Sequence, residues 1–455
     1  MQVGFARREE MIMSVLSESI KEKNLKYNLF TWTAQGGLDP MVIDRGEGLY
    51  MYDVDGNKYL EFASDQVCCN IGKSHPKVVQ AIKDQAEKIA YAGSAHATQQ
   101  KGDLAEKIIK KLPEGFGKVL FTNAGADANE SAVKIARMYT GREKTISRYR
   151  SYHGCTAGAA SLTGDNRRWA AEPGIPGAIR VFDHQCYHCP YHKDPETCGV
   201  ECATQIEEII KWEDPDNIAC IVIESVVGAN GMYPPPNNYM KIVREICDKY
   251  GILMICDEVM AGFGRTGEWF AFQNYDVVPD IVTMAKGLTS GYIPLGAVAV
   301  KQEIADFFDE HVLKTGLTYS GHVLCCAVGN AVMNVMEEEH LVEHSKEMGK
   351  YLLEQEKELQ KKHPCIGDVR GVGLMTGMEL VFNRETHAPI GPLPDGTDPI
   401  GELEKFCFSK GLMPGIKHPA LLTLCPSLPV TKEQIDQAIS IVDEGLKIVD
   451  SYYKR

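Results

Sequence analysis

The chain has 455 residues, of which 44% are hydrophobic and 24% charged, with a formal net charge of −14. That composition is ordinary for a globular protein of more than one domain, and the absence of a basic block argues against nucleic-acid or anionic-membrane partners. No apolar run is long enough to span a membrane, and fifteen scattered cysteines, an odd number, fit reduced thiols in a cytoplasmic protein better than a disulfide framework.

The opening MQVGFARREEMIMSVLSESIKEKN is amphipathic and charged, without the apolar stretch and small-residue cleavage site of a signal peptide. Residues 1–75 begin helical and continue as short extended pieces around turns such as Asp55-Gly56. Over 76–325 helices alternate with short apolar runs. Strands are predicted at Lys118–Asn123, Thr145–Tyr149, Ala219–Ser225, Ile252–Asp257, Ile281–Thr283 and Gly296–Val300, with helices such as Asn129–Thr140 and Asn238–Tyr250 between them. The middle runs are almost wholly apolar, as strands covered on both faces require. From 326 the pattern turns helical at Ala327–Leu341 and Val342–Lys362, passes through a short sheet-like stretch, and ends in an amphipathic helix over Lys432–Tyr453. The expected class is α/β. A mostly parallel sheet with helices on both faces fills a large domain (76–325), and a smaller α+β domain is built from 1–75 and 326–455.

Open α/β sheets place ligands beyond the carboxyl ends of their strands. Four segments put chemistry there. In Thr122-Asn123-Ala124-Gly125-Ala126-Asp127 a strand runs through small residues into a helix, which makes either an anion site or a plain helix cap. Asp257 and Glu258 end an apolar strand, where burial penalises charge. A carboxylate there calls for a protonated ring nitrogen, an Arg, a Lys or a metal, or forms an ion pair that only stabilises the fold. Lys286 follows a buried strand and precedes the glycine-rich stretch Gly287–Gly291, and desolvated lysines serve as bases or Schiff-base formers. Tyr152, in Ser151-Tyr152-His153-Gly154, is either a stacking platform for a planar ligand or a structural aromatic. Gly262-Phe263-Gly264-Arg265-Thr266-Gly267 matches the dinucleotide fingerprint, but no helix pattern opens after it, so it reads as a flexible active-site loop.

In order and spacing, TNAGADANESAVKIAR (122–137), YHG (152–154), DEVMAGFGRTG (257–267), MAKGL (284–288), LTYSGH (317–322) and RGVGLMTGMEL (370–380) resemble the class III (ω-amino acid) aminotransferases. Those enzymes use pyridoxal 5′-phosphate (PLP) on the fold-type I scaffold, and the resemblance runs from about residue 40 to the end. It implies that Lys286 forms the Schiff base and carries the proton, while Asp257 holds the protonated pyridine nitrogen. It also implies that Val259 packs behind the ring and Tyr152 stacks on its face, that Gly125 and Ala126 bind the phosphate, and that Glu224 sits near the cofactor's hydroxyl. Thr318 would reach the phosphate of the neighbouring subunit, hence a homodimer with shared active sites. The expected reaction moves an amino group from a taurine- or β-alanine-like donor to a 2-oxo acid such as pyruvate or 2-oxoglutarate. A racemase, epimerase or decarboxylase on the same scaffold, a nicotinamide dehydrogenase built on 262–267, and an inert scaffold are the alternatives.

Three departures from the family pattern stand out. The phosphate turn reads Ala124-Gly125-Ala126 where the family has hydroxyl residues. The stretch 411–419 lacks the arginine that grips a substrate carboxylate in many relatives, leaving Lys417 as a substitute, and the usual pocket aromatic is replaced near Val67, leaving Phe30 and Trp32 as wall candidates. Finally, Cys186, Cys189, Cys198 and Cys202 have the count for a tetrahedral zinc site, although their eight-residue spacer is short, and four reduced thiols in a loop is the competing reading.

Overall fold

The computed structural model describes residues 16–417 and 420–454, apart from the Lys417 side chain. The first fifteen residues of the amphipathic opening therefore lie outside the described residues.

Seven strands form the central sheet, in the spatial order Phe116–Thr122, Gly296–Lys301, Ile281–Met284, Leu253–Asp257, Ile218–Glu224, Lys144–Arg148 and Ala178–Val181. Gly296–Lys301 runs antiparallel to both neighbours, and every other pairing is parallel. Ile218–Glu224 is buried along its whole length. Its Ile221 and Ile223 join one apolar cluster with Ile206 and Val243, while Cys220 and Val222 join another with Ala132 and Ile135 of the helix Gly125–Thr140. Helices thus cover both faces, and each buried Ile or Val contributes roughly 1.5–3 kcal/mol of hydrophobic stabilisation. The expected α/β architecture holds. Strand limits differ from the predicted ones by one or two residues, and the edge strand Ala178–Val181 carries too short an apolar run to be predicted.

The four-stranded sheet joins distant parts of the chain. Ile43–Glu47, Tyr50–Asp53 and Lys58–Glu61 are completed by Leu412–Met413, which pairs parallel to Lys58–Glu61. A further sheet contains Ile366–Val372, Met375–Asn383, Leu421–Leu424 and Gly415–Lys417, with Ala388–Pro389 on Met375–Asn383. The long helices Val323–Glu338, Leu341–Lys362 and Lys432–Asp450 complete this part of the molecule. No helix of the described residues is long and apolar enough to cross a membrane.

The segment 262–267 corrects one expectation. It is buried rather than a flexible loop, and it leads into the 3-10 helix Ala271–Tyr275. Arg265 is fully buried, and its guanidinium donates to the carbonyls of Leu374 and Pro426, to Ser64 Oγ (3.3 Å) and to Asn70 Oδ1 (3.0 Å). The glycines allow close packing: a Cβ on Gly264, at φ +82, would meet Leu428 Cδ1 at 2.9 Å.

Candidate active site

The parallel register sets Glu224 beside Asp257 and Asp257 beside Thr283 at the carboxyl ends of three adjacent strands. Lys286 follows the third, and Tyr152-His153 follow the neighbouring strand Lys144–Arg148. Together these ends floor a cavity of about 420 Å³. Its lining includes Gly125, Ala126, Tyr152, Glu224, Asp257, Val259 and Lys286, seven of the residues singled out in the sequence.

Asp257 is 3% exposed, and its carboxylate accepts three hydrogen bonds that leave Oδ1 room for one more donor. Oδ2 accepts from His153 Nδ1 (2.7 Å) and Asn129 Nδ2 (2.8 Å), and Oδ1 accepts from the Val259 N–H (3.0 Å). Asn129 is itself fixed, donating to the His153 carbonyl (2.8 Å) and accepting from Thr283 Oγ1 (2.7 Å). A polar side chain on an otherwise apolar helix face was the one signal for Asn129 in the sequence; His153 was visible in YHG, but its partner was not. The adjoining carboxylate has a different role. Glu258 accepts from Ser225 Oγ and from the Ala271 (2.7 Å) and Phe272 (3.1 Å) N–H groups, tying down the next 3-10 helix, and burial pushes its pKa up to about 7.

Lys286 Nζ donates to the Gln66 carbonyl at 3.2 Å. Glu224 accepts the N–H groups of Tyr152 (3.1 Å) and Gly228 (2.8 Å); burial raises its pKa, with His153 opposing and Asp257 reinforcing that shift. At the start of the helix Gly125–Thr140 no side chain caps the first turn. Space there is tight: a Cβ on Gly125 would meet Val259 at 2.8 Å, and one on Gly154 would meet Ala126 Cβ at 2.5 Å. The open N–H groups, the dipole and the lack of bulk make an anion cradle.

These residues fit PLP on four counts. They offer an amine, a carboxylate held by three donors for a ring N–H⁺, an aromatic at the wall, and an uncapped helix start for a phosphate.

The expected substrate wall is only partly found. Phe30 and Val67 do not line the cavity; Val67 is buried against Val226 and Met232, and the neighbouring Cys68 lines it instead. Trp32 is 62% exposed and meets Tyr152 edge-on, with centroids 6.3 Å apart. Lys417 ends the strand Gly415–Lys417, but its side chain lies outside the described residues. Thr318 is exposed and absent from this lining, and its carbonyl accepts from Tyr91 Oη at 2.9 Å. A residue that the sequence reading missed stands at this edge. The Arg167 guanidinium lies 3.9 Å from the Tyr152 ring and 5.7 Å from that of Trp32, and its Nε is shared between the Asp165 oxygens at 3.1 and 3.0 Å.

Cys186, Cys189, Cys198 and Cys202 surround a cavity of about 20 Å³. No group of three or more His, Cys, Asp or Glu that could hold a metal ion occurs among the described residues. The flanking His184 is taken by Arg148, whose Nη1 lies 2.7 Å from its Nδ1.

A family model described as class-III aminotransferase matches residues 33–446. Among curated proteins, the chain is 34% identical over 443 residues to the taurine–pyruvate aminotransferase of Bilophila wadsworthia, covering 94% of this chain and 97% of the relative. It is 33% identical over 437 residues to the mitochondrial gamma-aminobutyrate transaminase 1 of Oryza sativa subsp. japonica, covering 90% and 82%. Among solved structures, the taurine:2-oxoglutarate aminotransferase of Bifidobacterium kashiwanohense, in complex with PLP and glutamate, superposes with a TM-score of 0.92 at 40% identity, covering 96% of this chain and 99% of that one.

Proposed function

The chain belongs to the class-III aminotransferases, and from that premise we propose that its donor is an ω-amino acid or ω-amino sulfonate of the taurine or β-alanine type and its acceptor pyruvate or 2-oxoglutarate. The fold is that of the PLP fold-type I transaminases. One observation carries the reading: Lys286 and Asp257 line the same cavity, and three donors hold the carboxylate.

PLP, when bound, supplies an aldehyde that receives the amino group and a protonated ring that absorbs the electron pair left on the substrate carbon. The residues of this chain do the rest. Asp257 would hold the proton on the ring nitrogen, and His153, Asn129 and the Val259 N–H keep its carboxylate aimed. Lys286 would anchor the cofactor and then serve as the base that carries a proton from the substrate carbon to the cofactor's aldehyde carbon. Gly125 and Ala126 offer backbone N–H groups to the phosphate, Val259 packs behind the ring, and Glu224 sits beside its hydroxyl. Tyr152 has Arg167 over its ring and stacks its free face on the cofactor. Thr318, which does not line its own protomer's cavity, completes the phosphate site of a partner in a cytoplasmic homodimer. The division into 1–75, 76–325 and 326–455 belongs to the same reading.

Arg167 is the group that favours an acidic donor. Its Nε and Nη2 are both paired with Asp165 while Nη1 makes no hydrogen bond among the described residues, so a carboxylate or sulfonate reaching the Tyr152 side of the cavity has one donor to meet. The test is a donor-by-acceptor screen, together with incubation with donor alone. A transaminase accumulates one equivalent of aminated cofactor and stops. Continued turnover without an acceptor assigns the protein to racemisation or decarboxylation. The dehydrogenase alternative has no support, because the glycine motif is a packed segment that opens no helix.

A further inference from the structure

Ser64, Asp65, Gln66 and Val67 all have positive φ, at 44°, 45°, 64° and 59°. Four consecutive non-glycine residues in the left-handed region form a strained turn, which persists only where its surroundings over-determine it. Here they do. Glu61 accepts the N–H groups of Ala63 (2.6 Å) and Asp65 (3.2 Å), and its other partner is Lys73 at 2.9 Å. Ser64 is fully buried; its hydroxyl donates to the Cys425 carbonyl and accepts from Arg265 Nη2. The same Nη2 holds Asn70, and Nη1 ties the turn to Leu374 and Pro426. Arg265, from the glycine-rich motif that the reaction itself does not use, is therefore the hub joining this turn to two distant segments. The outward product of this arrangement is one carbonyl, that of Gln66, directed at Lys286 Nζ.

We propose that the left-handed turn Ser64–Val67, pinned by Arg265 and Glu61, positions Lys286, with the Gln66 carbonyl as the acceptor that aims its amine whenever that amine is not joined to the cofactor. This rests on the role assigned to Lys286 above. A main-chain oxygen suits the task. It cannot titrate, it cannot become a competing nucleophile, and its location is set by backbone that Arg265 and Glu61 hold. Strain at a functional site is a recurrent means of presenting one group in one direction. Arg265, Ser64 and Glu61 are thus positioning residues that act through the turn.

Two variants and one control test the proposal. Ser64→Ala removes the bonds to Cys425 and Arg265 and leaves the rest of the turn. Arg265→Met removes the hub; if it fails to fold, Ser64→Ala decides alone. The readouts are the acetylation rate of Lys286 in the cofactor-free protein, measured by mass spectrometry against a surface lysine, and kcat and KM of the loaded enzyme. Lys286 labelling is expected to rise, and kcat to fall, by roughly two- to tenfold, the worth of one hydrogen bond, with KM for the amine near the parental value. Labelling and kcat both within twofold of the parent in folded variants overturn the proposal. Gln66→Gly, read on the thermal midpoint alone, checks the turn itself. Glycine relieves positive φ, so the midpoint should be no lower than the parent's, and a fall of several degrees also overturns it. Loss of cofactor attachment in Lys286→Ala is a separate result that tests the underlying assignment.

Discussion

Asn129 offers a quantitative test of how the carboxylate is held. Its side chain is 1% exposed and makes three hydrogen bonds, to Asp257 Oδ2, the His153 carbonyl and Thr283 Oγ1. Asn129→Ala removes all three and leaves the buried Thr283 hydroxyl without its acceptor. At about 1 kcal/mol for each bond, and more for a donor lost from a carboxylate, the expected destabilisation is about 3 kcal/mol. The bond to Asp257 bears on the reaction as well, and its loss should lower kcat on the order of tenfold. Thr283→Val in the same background removes the orphaned hydroxyl. It should recover roughly 1 kcal/mol of stability and none of the rate, since the Thr283 hydroxyl bonds to Asn129 and not to the Asp257 carboxylate. Urea unfolding of the cofactor-free protein gives the stability, and saturating kinetics give the rate. A loss below 1 kcal/mol, or a rate restored by Thr283→Val, refutes the reasoning that Asn129 acts on both the core and the carboxylate.

Four further outcomes are expected. Arg167→Ala should raise KM for an acidic ω-amino donor at least tenfold while leaving an uncharged amine donor unaffected; equal effects on both would remove Arg167 from acid recognition. Ala124→Ser restores a capping hydroxyl at the uncapped helix start, so it should raise the thermal midpoint of the cofactor-free protein and slow cofactor loss, both measurable by scanning calorimetry and dialysis. Asp257→Ala should retain some cofactor yet lose most of the rate, and parental transamination by that variant would exclude the ring-nitrogen role. Glu356 is fully buried with Thr376 as its one hydrogen-bond partner among the described residues, and burial pushes its pKa up to about 8. Because the folded-state pKa is the raised one, its contribution is complete below about pH 4.5 and is lost as pH climbs through 8, a change on the order of 4 kcal/mol. Glu356→Gln should flatten the stability profile between pH 5 and 8, as denaturant midpoints will show, and an unchanged slope would contradict the assignment.

The parts of the site that were legible in the sequence are those fixed by strand ends. Asp257, Lys286 and Glu224 each follow an apolar run, and the parallel register then brings them together without further instruction. Val67 and Phe30 were legible as types but not as places, because a wall residue depends on a local turn. The turn at Ser64–Val67 contains no glycine, so nothing in its composition announces a left-handed backbone. It exists because Arg265, two hundred residues away, holds it, and such long-range enforcement has no local signature. For the same reason a motif read as a flexible loop is a packed clamp. Arg167 was hidden by an ordinary-looking Arg-Arg pair, and only the approach of Tyr152 and Trp32 distinguishes it. The cysteine insert shows the converse: spacing legible in the sequence does bring four thiols round one small cavity.

The most direct test is chemical. Borohydride reduction of the PLP-loaded protein, followed by peptide mapping, should place one pyridoxyl group on the peptide carrying Lys286 and on no other lysine. A preparation that takes up no PLP supplied in excess, or a label on a different residue, would contradict the account.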